Sequence, residues 1–537
     1  MKRSIRAAYL LFGFLAGCGG SGGGDSAPTP PPVGLPPAVF KTPLGSTPAD
    51  AALGQPLTVE WELPAGVSIQ SVALDATVQA GPLATQTTCN VSAGPLAASA
   101  TSATITIPNR CELKTVRTVE LRVTVESTGG QRTTARHSFA APTQPANFQP
   151  RHVNLPVLKI TTDNGAPIVS RDAYLPGQMT LESNVAGVAP LSGGLEIRGR
   201  GNSTWDLMPK KPYRLKLTDK QPLLGMPSSR DWVLLANYSD KTLLRNSIAM
   251  QLGASLGMPW TPRSAFVELW VNNRYDGVYQ LTENIKVAKD RVNIDELDED
   301  DVAPDTISGG YLLEVDFRQD GYTIFSSIDH LPIVFQDPEE PVQAQEDYLK
   351  GYIDEFETVL YSDDFADPST GYVAYIDVDS FVRWFLVNEI FRNRDANMWS
   401  SCWMYKPRGG KLHMGPLWDF DISAGNIDYD GAYLTAGWWV HDAPWISRLF
   451  EDPVFAARAR SIWNEIKADQ LPAMFASISA NAEVLQQAQL NNFQRWPILE
   501  SYVWPNFGIP GSYVGEIDYL NSWLTARIAW MDAQFNP

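Results

Sequence analysis

Histidine and cysteine are scarce in this sequence, with five and four among 537 residues. So few imidazoles argue against a His-rich metal site, and against a triad drawn from many candidate bases. Positive charge is also in deficit. The formal net charge is −18 at pH 7, so the chain as a whole has no electrostatic attraction for nucleic acid or an anionic membrane. Any phosphate recognition must come from a local basic pocket. After the N-terminal leader, no apolar run is long enough to span a bilayer. What the chain does have is length and apolar mass. A hydrophobic content of 44% and 17 Trp allow a large core, and the length predicts two or three domains.

The leader MKRSIRAAYLLFGFLAGC has three cations, a short apolar run and small residues before Cys18. These are the parts of a secretory signal. The LAGC ending resembles a bacterial lipobox, in which Cys18 is lipidated and becomes the first mature residue; an ordinary signal peptide or short anchor is the plainer reading. The expectation is an exported protein, lipid-anchored to the bacterial membrane, periplasmic or at the cell surface. Residues 19–38 are a Gly/Ser/Pro tether. Over 39–142, short alternating runs such as PLTVEWEL, SVALDATV and TVELRVTVES predict an immunoglobulin-like β-sandwich. In an exported chain, Cys89 and Cys111 within that domain form a plausible disulfide. Cys402 is left over and reads as a buried, unreactive thiol. A second linker follows over 143–152.

The large remainder, 153–537, begins strand-rich and ends helix-rich, an α+β pattern. VELWVNNRYDGVYQLTE reads as a hairpin turning at NNRYDG. DKTLLRNSIAMQLGASLG reads as a helix ended by Gly257. EDYLKGYIDEFETVLY and DVDSFVRWFLVNEIFRN read as amphipathic helices. A sheet-rich half before a helix-rich half predicts two lobes with chemistry in the cleft between them. The acidic run DELDEDD (295–301) lacks the spaced ligands of a calcium loop and reads as a solvated loop.

Four stretches hold candidate chemistry. In IRGRGNSTW, Arg198 and Arg200 alternate with Gly beyond a strand, a phosphate-binding pattern or simply a turn with solvated Arg. PKKPYRLKL adds Lys210, Lys211, Arg214 and Lys216, a local basic patch in an acidic chain. Arg214 and Lys216 share one strand face, which suits a nucleoside triphosphate or a plain polar face. In NRDANMWSS, Asp395 follows a helix and reads as a general base, a cap or a surface ion pair. In GPLWDFDISAGN, strand alternation would put Asp419 and Asp421 on one face. Two like charges so placed call for a metal, a shared proton or solvent. Between the last two stretches, SCWMYKPRGGKLHMGPL reads as a hairpin with Arg408-Gly409-Gly410 at its tip.

The order helix, Asp loop, hairpin, Asp pair resembles phosphoryl-transfer enzymes of the protein-kinase type, in which one Asp positions the acceptor hydroxyl and a second holds Mg²⁺ on the phosphates. The HRD and DFG signatures are absent, and Ser400 stands where an Asn is usual, with Asn397 the nearer amide. The segments IRGRGNSTWDLMPKKPYRLKL, LLGMPSSRDWVLLANYSDKTLLRN, FVELWVNNRYDGVYQLTENIKVAKDRVNI, GGYLLEVD and GKLHMGPLWDFDISAGN together resemble the spore-coat protein H (CotH) kinase family, over about 155 to 535. The resemblance implies an atypical protein kinase-like fold that binds ATP and Mg²⁺ or Mn²⁺ between two lobes and phosphorylates Ser or Thr of proteins. Carried over, Asp395 is the catalytic Asp, Asp419 the metal-binding Asp and Asp421 a second ligand. The residues themselves, more than the resemblance, make Arg198, Arg200, Lys211 and Lys216 the phosphate side, with Lys216 as the strand lysine, and the segment after the hairpin, around Leu281 to Glu283, the adenine edge. The expected partners are a protein substrate at the cell surface or in the periplasm, and the membrane through the lipid anchor. Tether and sandwich equally fit a non-catalytic surface adhesin built on the same scaffold.

Overall fold

Period-two alternation in PLTVEWE buries Leu57, Val59 and Trp61 on one face of the strand Pro56–Glu62. That strand pairs with Val39–Thr42 and Ser102–Thr106 in a three-stranded antiparallel sheet. A four-stranded antiparallel sheet is built from Thr87–Ser92, Ile69–Ala80, Val116–Ser127 and Arg132–Phe139. Leu74, Val78, Leu121 and Val123 of the second sheet share one core with Leu57, Val59 and Trp61 of the first. This computed structural model describes residues 35–42, 56–80, 87–106, 116–139, 150, 155–183 and 189–537. Cys18, Cys111 and the side chain of Cys89 lie outside the described residues, and with them the lipid anchor and the disulfide.

The strand-rich part of the larger region closes into a seven-stranded barrel. In spatial order its strands are Leu191–Gly199, Tyr213–Gln221, Ser229–Leu235, Arg274–Glu283, Ser264–Val271, Val157–Thr162 and Leu175–Glu182. The pair Ser264–Val271 and Val157–Thr162 is parallel and the other pairs are antiparallel. Leu158, Ile197, Leu215, Trp232, Val267 and Leu281 point into a shared interior. The hairpin turn is tighter than the sequence suggested. Asn272 and Asn273 take it alone, with φ of 50° and 61°, since Asn tolerates the left-handed conformation that a two-residue hairpin demands.

The helix expected from Asp240 starts only at Arg245 and runs to Ser255. The Asp240 carboxylate explains the delay. It accepts from the N–H groups of Thr242 (3.1 Å) and Arg245 (2.8 Å), which holds the preceding turn out of the helix. Gly257, at φ +75°, ends it as expected.

Five antiparallel strands form the last sheet, in the order Thr323–Phe325, Pro332–Asp337, Tyr311–Val315, Cys402–Lys406 and His413–Met414. The last two are the predicted hairpin, so the helix-rich part contributes two strands to a sheet begun upstream. This sheet shares a core with the helices Arg245–Ser255, Gln343–Leu360, Val378–Phe391, Pro453–Ala468, Gln470–Leu485 and Tyr513–Phe535. Val378–Phe391 was expected to be amphipathic. It is instead buried on nearly every face, from Phe381 to Phe391, because it runs through the middle of that core. Each such buried Phe or Leu contributes about 1.5–3 kcal/mol. The Asp377 side chain caps its start at Ser380 N–H (2.8 Å), and Arg392 ends it at φ 45°. That left-handed exit delivers the chain into the Asp395 loop. The fold is therefore mixed α+β. Among the described residues no helix is long and apolar enough to cross a membrane.

Candidate active site

A cleft of about 1040 Å³ opens where the barrel meets the five-stranded sheet. The barrel side brings Arg198, Arg200 and Arg214. The sheet side brings Glu314, Asp316 and Arg318. Asp395, Asp419 and Asp421 line it as well.

Asp395 sits in a single 3-10 turn, Arg394–Ala396, just past the buried helix. Arg394 donates to it at 2.9 Å and also holds Asp430 at 2.8 Å. Burial raises the Asp395 pKa, Arg394 opposes the rise, and the Asp419 charge adds to it. A raised carboxylate pKa suits a proton acceptor working near neutral pH.

Asp419 and Asp421 do not alternate along a strand, since residues 415 to 421 lie outside the sheet. Phe420 organises them instead. Its ring packs against Phe391 (centroids 5.5 Å apart) and its N–H donates to Asn246 Oδ1 at 2.7 Å. Asn393 Nδ2 holds the Asp419 carbonyl at 3.3 Å, tying this loop to the Asp395 loop. With Phe420 anchored, Asp419 adopts φ 64° and stands exposed, while Asp421 is half-buried near Ser239 Oγ (3.4 Å). Burial, and then the Asp419 charge, push Asp421 up to about 8. At neutral pH and without a cation, Asp421 therefore keeps its proton, whereas a divalent cation would reverse that preference. Among the described residues, no group of three or more His, Cys, Asp or Glu has the geometry to hold a metal. Two carboxylates on one loop do fit Mg²⁺ or Mn²⁺, because such an ion takes one or two carboxylates and completes its shell with phosphates and water.

The cations face these acids. Arg200 lies over the Trp418 ring at 5.2 Å. Burial lowers its pKa, and Asp419 is the strongest opposing charge. Arg198 lies over Tyr174 at 4.9 Å and donates to the Arg171 carbonyl. Among the described residues, the buried Nε atoms of Arg198 and Arg214 have no hydrogen-bond partner, as is also true of Arg392 Nε and Arg408 Nε away from the cleft. What sets Arg198 and Arg214 apart is that they line a cleft with room for an acceptor. Phosphate oxygens are acceptors of the right charge.

The sequence profile of the family described as CotH kinase protein matches residues 197–531, more than half of the chain. This chain belongs to the CotH kinase family. No curated protein matches it. The match begins in the strand that carries Arg198 and leads into Arg200, and it ends in the last helix, so it spans both walls of the cleft.

In this CotH domain, three residues expected on the phosphate or adenine side lie elsewhere. Lys211 is buried, donates to the Trp205 carbonyl and sits 5.6 Å over that ring. Burial drops its pKa to about 7. Lys216 is exposed, opposite Glu196 and Asp231 on the neighbouring strands. Arg214, two residues earlier on the same face, is the strand cation that reaches the cleft. The two share a face, but the strand runs from the cleft out to solvent, which alternation cannot reveal. Glu283 is fully buried, gripped by both Arg263 contacts at 2.8 Å with Arg291 at 3.8 Å. The next residues, Asn284 to Val287, line the cleft in its place.

Sequence reasoning missed Glu314 and Asp316. Their E-x-D spacing in GGYLLEVD repeats the D-x-D logic of the other wall and was the available signal. Burial, then Asp316 and Asp419, push Glu314 up to about 8. Gln336 donates to it at 2.8 Å. Asp316 accepts from Ser400 Oγ at 3.0 Å. Position 400 is thus occupied by a buried Ser turned toward Asp316. Cys402 is free and buried, its thiol pKa raised by burial, as expected of an inert thiol.

Proposed function

We propose that this protein is an atypical kinase that uses ATP and Mg²⁺ or Mn²⁺ to phosphorylate a hydroxyl. The acceptor brought by the family resemblance is Ser or Thr of an exported or surface protein. One observation carries the reading: Asp395, Asp419 and Asp421 share a cleft with Arg200 and with the orphaned donors of Arg198 and Arg214. Arg198, Arg200 and Arg214 hold the phosphates. Asn284 to Val287 form the edge beside the base. Asp419 and Asp421 would hold the metal, which supplies charge neutralisation on the phosphates. Asp395 accepts the hydroxyl proton as the oxygen attacks, and Arg394 keeps its carboxylate oriented. In this reading the barrel and the helical part are two lobes around the nucleotide. The two N-terminal sheets are an immunoglobulin-like sandwich, and the chain is tethered outside the cytoplasm through Cys18.

Thermal-shift titration tests the proposal. ATP with Mg²⁺ raises the melting temperature of the wild-type protein by mass action and does not raise that of Asp419→Ala. The purified wild type also transfers labelled phosphate to itself or to an exported protein. Absence of both the shift and the label, with either metal, would sink the kinase reading. A non-catalytic surface-binding protein is the second reading. It draws support from Ser400, a buried hydroxyl turned away to Asp316 where kinases of the common type place an amide ligand.

A further inference from the structure

We propose that the acceptor end of the cleft is a binding platform for a neutral oligosaccharide, made of two stacked aromatic rungs that lead away from Asp395. The segments 426–433 and 502–507 are zipped together. Tyr502 donates to Asp428 at 2.7 Å and Asn506 to Asn426 at 2.9 Å. Between and beside these bonds, Tyr429 stacks on Trp504 (6.2 Å, 13°) and Tyr433 on Phe507 (4.1 Å, 3°). Each rung has a half-buried Tyr as its inner ring and an open outer ring. Trp504 is 40% exposed and Phe507 47% exposed. Tyr429 and Trp504 line the cleft, and Arg394, the partner of Asp395, lies over Tyr429 at 5.6 Å. The second rung lies farther along the same two segments, with neither ring lining the cleft.

Large rings left open beside a cleft mark a binding surface. The chemistry of this one is narrow. A ring backed by a second ring is held in place and offers one flat face. A pyranose matches such a face, because one side of the sugar carries C–H groups and its edge carries hydroxyls. Two rungs in succession suit a chain of repeated rings. At the rim, Asp428 accepts from Tyr502 and Asp430 is paired with Arg394; both are exposed and keep carboxylate lone pairs for further hydroxyl donors. The inference rests on the phosphoryl-transfer reading and puts a sugar hydroxyl in place of the Ser or Thr acceptor that the family resemblance brings. That oxygen bonds to the γ-phosphorus of ATP, the bond from this phosphorus to the bridging oxygen of the departing ADP breaks, and the hydroxyl proton passes to Asp395.

Calorimetric titration of the full chain with cellohexaose, maltohexaose and chitohexaose tests the platform, with a neutral Ser-containing peptide in parallel. At least one hexasaccharide binds, and binds more tightly than the disaccharide of the same linkage. Trp504→Ala and Phe507→Ala each weaken it about tenfold, while Trp504→Phe and Phe507→Tyr keep most of the affinity. Far-UV circular dichroism and the cooperative thermal unfolding of all four variants match the wild type, which shows that they are folded. The proposal is overturned if none of the three hexasaccharides binds at millimolar concentration, if binding ignores both Ala substitutions, or if only the peptide binds. Saccharide binding without any ATP shift would instead remove the transfer reading, and the acceptor role with it.

Discussion

Two buried ion pairs of the helical interior and the charges of the cleft differ in how fully their hydrogen bonds are met. Inside, Arg527 and Glu389 are both fully buried and saturated. Arg527 donates to Glu389, to the Glu389 carbonyl (3.0 Å) and to the carbonyls of Thr435 (3.0 Å) and Gly437 (2.7 Å). Glu389 in turn accepts from the N–H groups of Trp439 (3.0 Å) and His441 (2.8 Å). Arg245 and Asp240 repeat the pattern with no exposed surface on either side chain. In the cleft, Arg198 and Arg214 keep buried donors without acceptors, and Asp421 and Glu314 are both pushed to about 8. A closed network stabilises a fold, whereas an incomplete one is set up for a ligand.

The largest effect that would test this contrast is catalytic. Asp395→Asn keeps the size of the side chain and removes the proton acceptor. Transfer should fall by about 10²–10⁴-fold with the ATP thermal shift intact; equal loss of both would mean that Asp395 binds rather than reacts. The wild-type pH profile carries the same signature. Burial raises the Asp395 pKa, so the basic form is lost, as pH falls, at a higher pH than for an ordinary Asp.

A second comparison sets Arg527→Ala against Arg200→Ala. Removing Arg527 strands a buried carboxylate and should cost about 3–5 kcal/mol in urea unfolding. Removing Arg200 relieves a cation of its burial and should change stability by less than about 1 kcal/mol, yet weaken ATP binding about tenfold or more. Reversed rankings would break the division between scaffold and site.

The smallest effect is on pH-dependent stability. Glu314 has a folded pKa raised from 4.5 to about 8. The sign follows from linkage: its contribution is full below 4.5 and is lost as pH rises to about 8. Glu314→Gln cannot ionise, so its melting temperature relative to wild type should climb by a few degrees (roughly 2–6 °C) across that window. A constant offset at every pH would contradict a protonated Glu314 in the fold.

Much of this was readable in the chain. The hairpin at 402–414, the helix stop at Gly257 and the sequence of helix, Asp loop and Asp pair depend on neighbours within a few residues, where turn chemistry and periodicity act. Asp395, Asp419, Asp421, Arg198 and Arg200 stand out that way, and all five line the cleft. Lys216 and Arg214 were indistinguishable because alternation assigns a face and not a position along it. Glu283 looked available only because Arg263, which grips it, is the residue just before the adjoining strand. Asp316 and Ser400 are 84 positions apart in sequence, and no local pattern joins them.

The sequence by itself determined which elements form and that carboxylates and cations occur in spaced pairs, since both follow from local sterics and side-chain period. Only the tertiary structure decided which of those charges meet. Barrel closure and the packing of the five-stranded sheet bring together residues more than two hundred positions apart, from Arg198 to Asp421. Burial then sets their protonation, because the cost of ionising a carboxylate depends on what surrounds it and not on its neighbours in the chain.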